Sequence, residues 1–445
     1  MRIKQQLQTT LFEHYVEHEI GTELRNISMI LDQHPDILDW AEKDIESINL
    51  KDESGRKSLS VESVLRCAIL KQHRDLSYEE LSFTLLDSVS CQTFARLTDS
   101  FVPKKSALQG AISRIQDSTW ERINLALLGN AKESGIEKGT MLRIDSTATE
   151  THIHAPTDSS LLWDSVRVMT RLLKQACEMG LDFEYHDHHR VAKKRARAII
   201  YTKGKDKKNA LYRDLLRYTE KTIQYIGHAK IAGHGKPPAE WVFWCLEVDH
   251  YLPLIGKVID QTTRRVVNDE KVPASEKIFS LFETHTDIII KGSRDIQYGH
   301  KLNFSTGRSG LVLDVVIETG NPADSDQFIP MVDRHIKNYG KAPRQVAADG
   351  GYASIENLEI GKQRGITDVA FHKKRGLEIL DMAKSLWVYK KLRNFRAGIE
   401  AGISYLKRCF GLSRCHWKGL THFKSYVWSS VVTHNLVMMA RLQSP

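Results

Sequence analysis

The order in which hydrophobic periods change along this chain limits its fold more than any other feature. Up to about residue 138 the pattern is helical throughout. Thr140 to Thr151 then turns rich in β-branched residues, with Leu142 and Ile144 alternating against Arg143 and Asp145, which predicts a strand carrying an acid on one face. A helical stretch runs from about 155 to 285, opening on an amphipathic segment with Leu161, Leu162, Val166, Met169, Leu172 and Leu173. Strand patterns resume at Thr286 to Lys291, Tyr298 to Ser305 and Gly310 to Ile317. There follow a helix over about 323–338, a strand Gln345 to Ala348, a helix over about 354–364, a strand Ile366 to Phe371 and a helix through Arg396 to Arg408. With the insert set aside, the order strand, strand, strand, helix, strand, helix, strand, helix demands a mixed α/β sheet. Its early strands can form a meander, and its later strands need helical crossovers.

Three carboxylates stand out on this frame. Asp145 lies in the first strand. Asp349 ends the strand 345–348, directly before Gly350 and Gly351, where open α/β sheets place their working residues. Glu400 is on the last helix, where Arg396, Glu400 and Lys407 share one stripe beside an apolar stripe of Ile399, Ile403, Leu406 and Phe410. Taken singly, each has a bland reading: strand-end aspartates, and a surface helix with an i,i+4 pair worth a few tenths of a kcal/mol. The acids are 204 and 51 positions apart, so only a fold brings them together. Together they form a hard-cation site suited to Mg²⁺ or Mn²⁺. Two such ions serve an in-line displacement at phosphorus, with Arg396 and Lys407 holding phosphates while Glu400 holds metal.

The charge map points to a polyanion. Residues 190–236 hold 14 Lys and Arg against 3 Asp and Glu, and residues 373–418 hold 12 against 3, while the chain as a whole is only +9. Such concentration suits nucleic acid, against the alternative of two solvated charged faces. In the N-terminal region, Ser77 to Glu80 and Ser106 to Gln109 both read as capping boxes. The segment Pro103-Lys104-Lys105, followed by Gln109 and Arg114, suits the reading helix of a helix-turn-helix; dimerisation or scaffolding is the alternative. The six cysteines are scattered without a CxxC pair, which argues against a disulfide framework and a zinc site. His152, His154, His186, His188 and His189 read as solvated or stacked polar groups, and Trp241, Trp244 and Trp417 as core. No apolar run approaches a membrane span and the N-terminus lacks a signal-peptide core, so the expected location is cytoplasmic, with the nucleoid.

RIDST around Asp145, YGHK at 298–301, GNPADS at 320–325, VAADGGYAS at 346–354 and RAGIEAGISYLKRCFGL at 396–412 together resemble the DDE transposases of bacterial insertion sequences, most nearly an ISNCY-like group, from about residue 60 onward. The resemblance implies an RNase H-like catalytic domain. Asp145, Asp349 and Glu400 would be the catalytic acids holding two divalent ions, Mg²⁺ or Mn²⁺, and helices near the N-terminus would bind terminal inverted repeats. It implies metal-dependent cleavage of double-stranded DNA, then attack of the freed 3′ hydroxyl on target DNA by a homodimer or larger assembly. The expected organisation is 1–138 for end binding or dimerisation, 139–154 with 286–445 for catalysis, and 155–285 as a basic helical insert after the first catalytic strand. The cations expected on DNA are Arg396, Lys407, Lys301, Arg393, Lys104, Lys105, Arg114, Lys193, Lys194, Arg195 and Arg197. Two departures mark this chain: Arg393 stands where many such transposases carry a tyrosine, and the insert lies between the two aspartates. An RNase H-like nuclease without strand transfer and a non-catalytic DNA-binding regulator remain as alternatives.

Overall fold

The computed structural model describes residues 4, 15–46, 58–97, 102–234, 240–291, 295–373 and 375–443. They form two compact units, one joining Met1–Thr151 to Gly299–Pro445 and the other spanning His152–Tyr298.

The sheet has six strands: β1 (Met141–Glu150), β2 (Asp287–Lys291), β3 (Asp295–Thr306), β4 (Val312–Ile317), β5 (Gln345–Ala348) and β6 (Asp368–Phe371). Their order is β2-β3-β1-β5-β6, and β4 also pairs with β3. β4, β3 and β1 are antiparallel neighbours, whereas β1, β5 and β6 run parallel. This is a mixed sheet flanked by helices, as the order of sequence periods requires, and it is RNase H-like, as the resemblance implies. β5 and β6 are short and buried almost throughout, as expected of parallel strands covered on both faces.

Helices α1 (Glu19–Asp32), α2 (Asp36–Glu46), α3 (Val61–His73), α4 (Tyr78–Asp87), α5 (Val89–Phe94), α6 (Lys105–Ile112) and α7 (Asp117–Glu133) precede the sheet. They share one apolar core with it. The capping box at Ser77 and Glu80 forms. The one expected at Ser106 does not: α6 begins two residues earlier than that box requires, with Lys104 as its N-cap and no side-chain bond there. In the second half of this unit lie α12 (Phe328–Tyr339), α13 (Ile355–Gln363), α14 (Ile379–Met382), α15 (Leu386–Cys409) and α16 (Leu420–Gln443).

The sequence reading did not identify α16. Its apolar residues face all round, the mark of a helix buried inside a domain rather than lying on one. It packs on α1, α3 and α7. Asn435 joins it to the sheet: its Oδ1 accepts from Val312 N (2.9 Å), and its Nδ2 donates to Val312 O (2.8 Å) and Asn124 Oδ1 (2.7 Å).

The second unit holds α8 (Asp158–Glu178), α9 (His189–Tyr201), α10 (Lys205–Ala232) and α11 (Trp241–Thr262). Leu161, Leu162, Val166, Met169, Leu172 and Leu173 all enter its core. Trp244 is buried there, donating to Leu172 O (2.8 Å) and stacked on Trp241 at 4.6 Å. His186 and His188 pack against the ring of Tyr225. Among the described residues no helix is long and apolar enough to cross a membrane.

Candidate active site

Parallel pairing of β1 with β5 sets Ile144 opposite Ala348, so Asp145, in the middle of β1, and Asp349, just past the end of β5, are the next residues in register on adjacent strands. Each is steered by the backbone beside it. Asp145 Oδ1 accepts from Ser146 N (2.8 Å), and Asp349 caps a short 3₁₀ turn, Gly350–Tyr352, by accepting from Gly351 N (3.4 Å).

The third acid arrives on α15, capped by Ser385, whose hydroxyl accepts from Val388 N (3.2 Å). α15 lies against β1, β5 and β6 through Val388, Leu392, Ile399, Ile403 and Leu406. Its approach to the sheet is set by Arg143, which sequence reading placed on the acid-bearing face and gave no role. Arg143 is buried, stacked at 4.5 Å from the Phe395 ring, and donates to Thr306 Oγ1 (3.0 Å), Phe395 O (3.3 Å) and Gly307 O (2.6 Å). Gly398 makes room for it. A Cβ at Gly398 would sit 1.9 Å from Arg143 Nη1.

At the meeting point lies Arg396, 7% exposed. Its Nη1 is 3.1 Å from Asp349 Oδ1 and 3.4 Å from Asp145 Oδ2, and its Nη2 bonds Glu400 Oε1. The three acids singled out in the sequence thus converge on one guanidinium. The sequence reading gave Arg396 to phosphates; in the structure its Nη atoms are taken by carboxylates. Among the described residues no group of three His, Cys, Asp or Glu is gathered so as to hold a metal ion as it stands. The donor set nevertheless fits a hard cation: three carboxylates from three elements already share one positive charge.

The remaining predicted cations fall into distinct environments. Lys301 is neither a solvated edge lysine nor turned outward. It is buried, with Nζ 2.6 Å from both Pro322 O and Asp324 Oδ1. Arg114 is half-buried and donates to Ile45 O at the end of α2 (3.0 Å). Lys104 and Lys105 are exposed at the start of α6, Lys105 in a solvent-facing pair with Glu79. Arg393 is exposed, 6.0 Å above the Tyr389 ring, and Lys407 is half-buried. In the second unit, Lys194 and Arg197 lie exposed on α9, whereas Lys193 sits 5.5 Å from the Trp163 ring and Arg195 pairs with Asp214.

Beneath the acids is a polar group of which sequence reading quoted only Tyr352, within a motif and without a role. Tyr352, fully buried, donates its hydroxyl to Asn303 Oδ1 (2.6 Å), and Asn303 Nδ2 donates to Glu318 Oε1 (2.8 Å). Burial, and then the carboxylates of Asp324, Asp145 and Asp349, push the phenol well above its usual range, so it stays a hydrogen-bond donor. Burial likewise raises the Glu318 carboxyl.

The arrangement is that of an RNase H-like sheet, with two acids in register on adjacent strands and a third on the covering helix. Residues 291–436 match a family model described as "Transposase DDE domain". The match includes Asp349 and Glu400; Asp145 lies before it and is joined to it by β1–β5 pairing. It does not distinguish groups of insertion sequences. No curated protein and no solved structure matches the chain.

Proposed function

We propose that the protein is a DNA transposase that binds the terminal inverted repeats of its element, cleaves at the ends and joins them to target DNA. The observation that carries this reading is the single buried guanidinium of Arg396 touching Asp145, Asp349 and Glu400, which come from β1, the end of β5 and α15. The DDE-domain match supports it independently.

In this reading Asp145, Asp349 and Glu400 hold Mg²⁺ or Mn²⁺. Two such ions supply an activated attacking oxygen and a stabilised leaving oxygen. The chain's own contribution is placement. Backbone N–H groups of Ser146 and Gly351 orient the aspartates, and the Arg143–Gly398 contact sets the height of α15 and so of Glu400. Arg396 balances the charge of the three acids, and with metal in place it and Lys407, on the same helix, would be available to backbone phosphate. The exposed cations of α6 and α9 contact duplex backbone, which makes binding strongly salt dependent. Joining two ends calls for a homodimer or larger assembly, working on DNA in the cytoplasm.

The test is a labelled duplex carrying the inverted repeats that flank the gene, incubated with Mg²⁺ or Mn²⁺ and wild type, Asp349→Asn or Glu400→Gln. Metal-dependent nicking with joined products, lost in both variants, is expected. Cutting without joining would leave a nuclease, and tight binding with no cutting in any protein would leave a regulator.

A further inference from the structure

The motif GNPADS, between β4 and α12, has no part in the reaction as described so far. Its loop is nonetheless tied to the turn that bears Asp349 at three points. A Cβ on Gly351 would lie 2.5 Å from Asp324 Oδ2, so the Asp324 carboxylate rests against the backbone of the same glycine whose N–H steers Asp349. Asn357 Nδ2 donates both to Ser325 O (2.8 Å) and to Tyr352 O (2.9 Å), bridging loop and turn. Tyr352 hangs from Asn303, which sits opposite Ser146 in the β1–β3 register and is bound to Glu318 at the start of the loop.

The chemistry at Asp324 is not what packing alone would select. It adds a carboxylate to those of Asp145 and Asp349 around Tyr352, and its charge is met by Lys301, the side chains of Lys301 and Asp324 being 7% and 23% exposed. Replacing a buried ion pair with well-packed neutral groups is often neutral or stabilising, and here an amide would fill the same space. A charged pair kept in such a place fixes geometry: its short contacts hold the loop to β3 and the loop to the glycine turn.

We propose that Asp324, neutralised by Lys301, is a positioning residue that seats the Gly350–Tyr352 turn and thereby aims Asp349. The inference rests on the reading of Asp349 as a metal-holding acid. Asp324 itself touches the turn, not the DNA.

The test compares wild type, Asp324→Asn, Lys301→Met, their combination and Asp349→Asn. Readouts are single-turnover cleavage of the end duplex at saturating DNA, the Mn²⁺ concentration for half-maximal rate, duplex binding in Ca²⁺, and thermal melting. Misplacement of one ligand by a fraction of an ångström is expected to slow cleavage about tenfold or more and to raise the Mn²⁺ midpoint in each single variant. Duplex binding stays within about twofold of wild type, and the double variant is no slower than the worse single one, because the pair acts as a unit. Single variants that cleave at the wild-type rate with the wild-type Mn²⁺ midpoint, while Asp349→Asn is inactive, overturn the proposal and leave the transposase reading intact. Asp349→Asn cleaving at the wild-type rate overturns both. If Asp324→Asn loses its melting transition, Tyr352→Phe carries the test, since it keeps both charges and the ring. A raised Mn²⁺ midpoint there supports the proposal, and an unchanged one overturns it.

Discussion

Replacing Arg396 by methionine should weaken the protein without metal and strengthen its hold on metal. The side chain at 396 is 8% exposed, and its partners Asp145, Asp349 and Glu400 are 15%, 38% and 57% exposed. Only the Asp145 pair approaches the buried case, where removing one partner costs about 3–5 kcal/mol. The other two approach surface pairs, worth up to about 1 kcal/mol. A net loss of about 3 kcal/mol is expected in EDTA, lowering the melting temperature by roughly 5 °C for a unit of about 300 residues. The same change leaves three acids without a counter-charge, so Mn²⁺ no longer displaces a guanidinium. Affinity in the absence of DNA should rise about tenfold to a hundredfold, equal to about 1.4–2.8 kcal/mol. Mn²⁺ at about a hundred times the variant's dissociation constant adds about 2.7 kcal/mol to the variant and about 0.4–1.4 kcal/mol to the wild type, which narrows the gap in melting temperature by about half or more. Fluorimetric melting in EDTA and across a Mn²⁺ titration, with free Mn²⁺ followed by electron paramagnetic resonance, measures both effects. A variant that melts with wild type in EDTA, or binds Mn²⁺ more weakly, would refute the reasoning.

Three further outcomes follow from the same coordinates. Gly398→Ala should cost about 1–3 kcal/mol and impair cleavage by lifting α15 from Arg143, whereas Gly402→Ala on the same helix, with nothing within 4 Å of the added Cβ, should be neutral or stabilising by up to about 1 kcal/mol; paired melting and cleavage assays decide. Asn435→Ala strands the polar groups of Val312 and Asn124 and should destabilise by about 3 kcal/mol or more in urea titrations at neutral pH, with a smaller loss counting against the role of this residue. Burial lowers the Lys71 ammonium, set among the rings of Tyr78, Trp417 and Tyr426, from its ordinary 10.5 to about 8. Between those values the unfolded chain binds the extra proton, so stability rises with pH, by about 3 kcal/mol across the full window. Denaturation at pH 7 to 9.5 should show the rise in wild type and not in Lys71→Met.

Much of the site was legible because its elements have short-range signatures. Asp145 alternates with buried neighbours, Asp349 precedes two glycines, and Glu400 rides a helix with a continuous apolar stripe. Their convergence needed only that β1 and β5 be neighbours. What escaped depended on partners distant in sequence. The i,i+4 spacing marks the pair of Arg396 with Glu400, but nothing local says that the same guanidinium also reaches Asp145 and Asp349. Lys301 sits in a strand that suggests an exposed edge, and only the return of the loop through Asp324 buries it. α16 escaped because a helix apolar on all sides has no stripe to detect. The second capping box failed at Ser106 because α6 begins at Lys105, two residues too early for a serine N-cap at 106.

The second unit departs after Thr151 and the chain returns at Gly299, while Glu150 and Gly299 are partners across the β1–β3 ladder. Pairing those strands from an unfolded chain means closing a loop of nearly 150 residues. Relative to a tight hairpin, this costs about 3 kcal/mol in chain entropy. A unit with its own apolar core, folded first, brings its two ends together beforehand and offsets that cost. During synthesis it is also complete before β3, β5 and α15 emerge. Asp145 therefore waits for two partners that lie 204 and 255 residues further along, and the site closes only when α15 supplies Glu400.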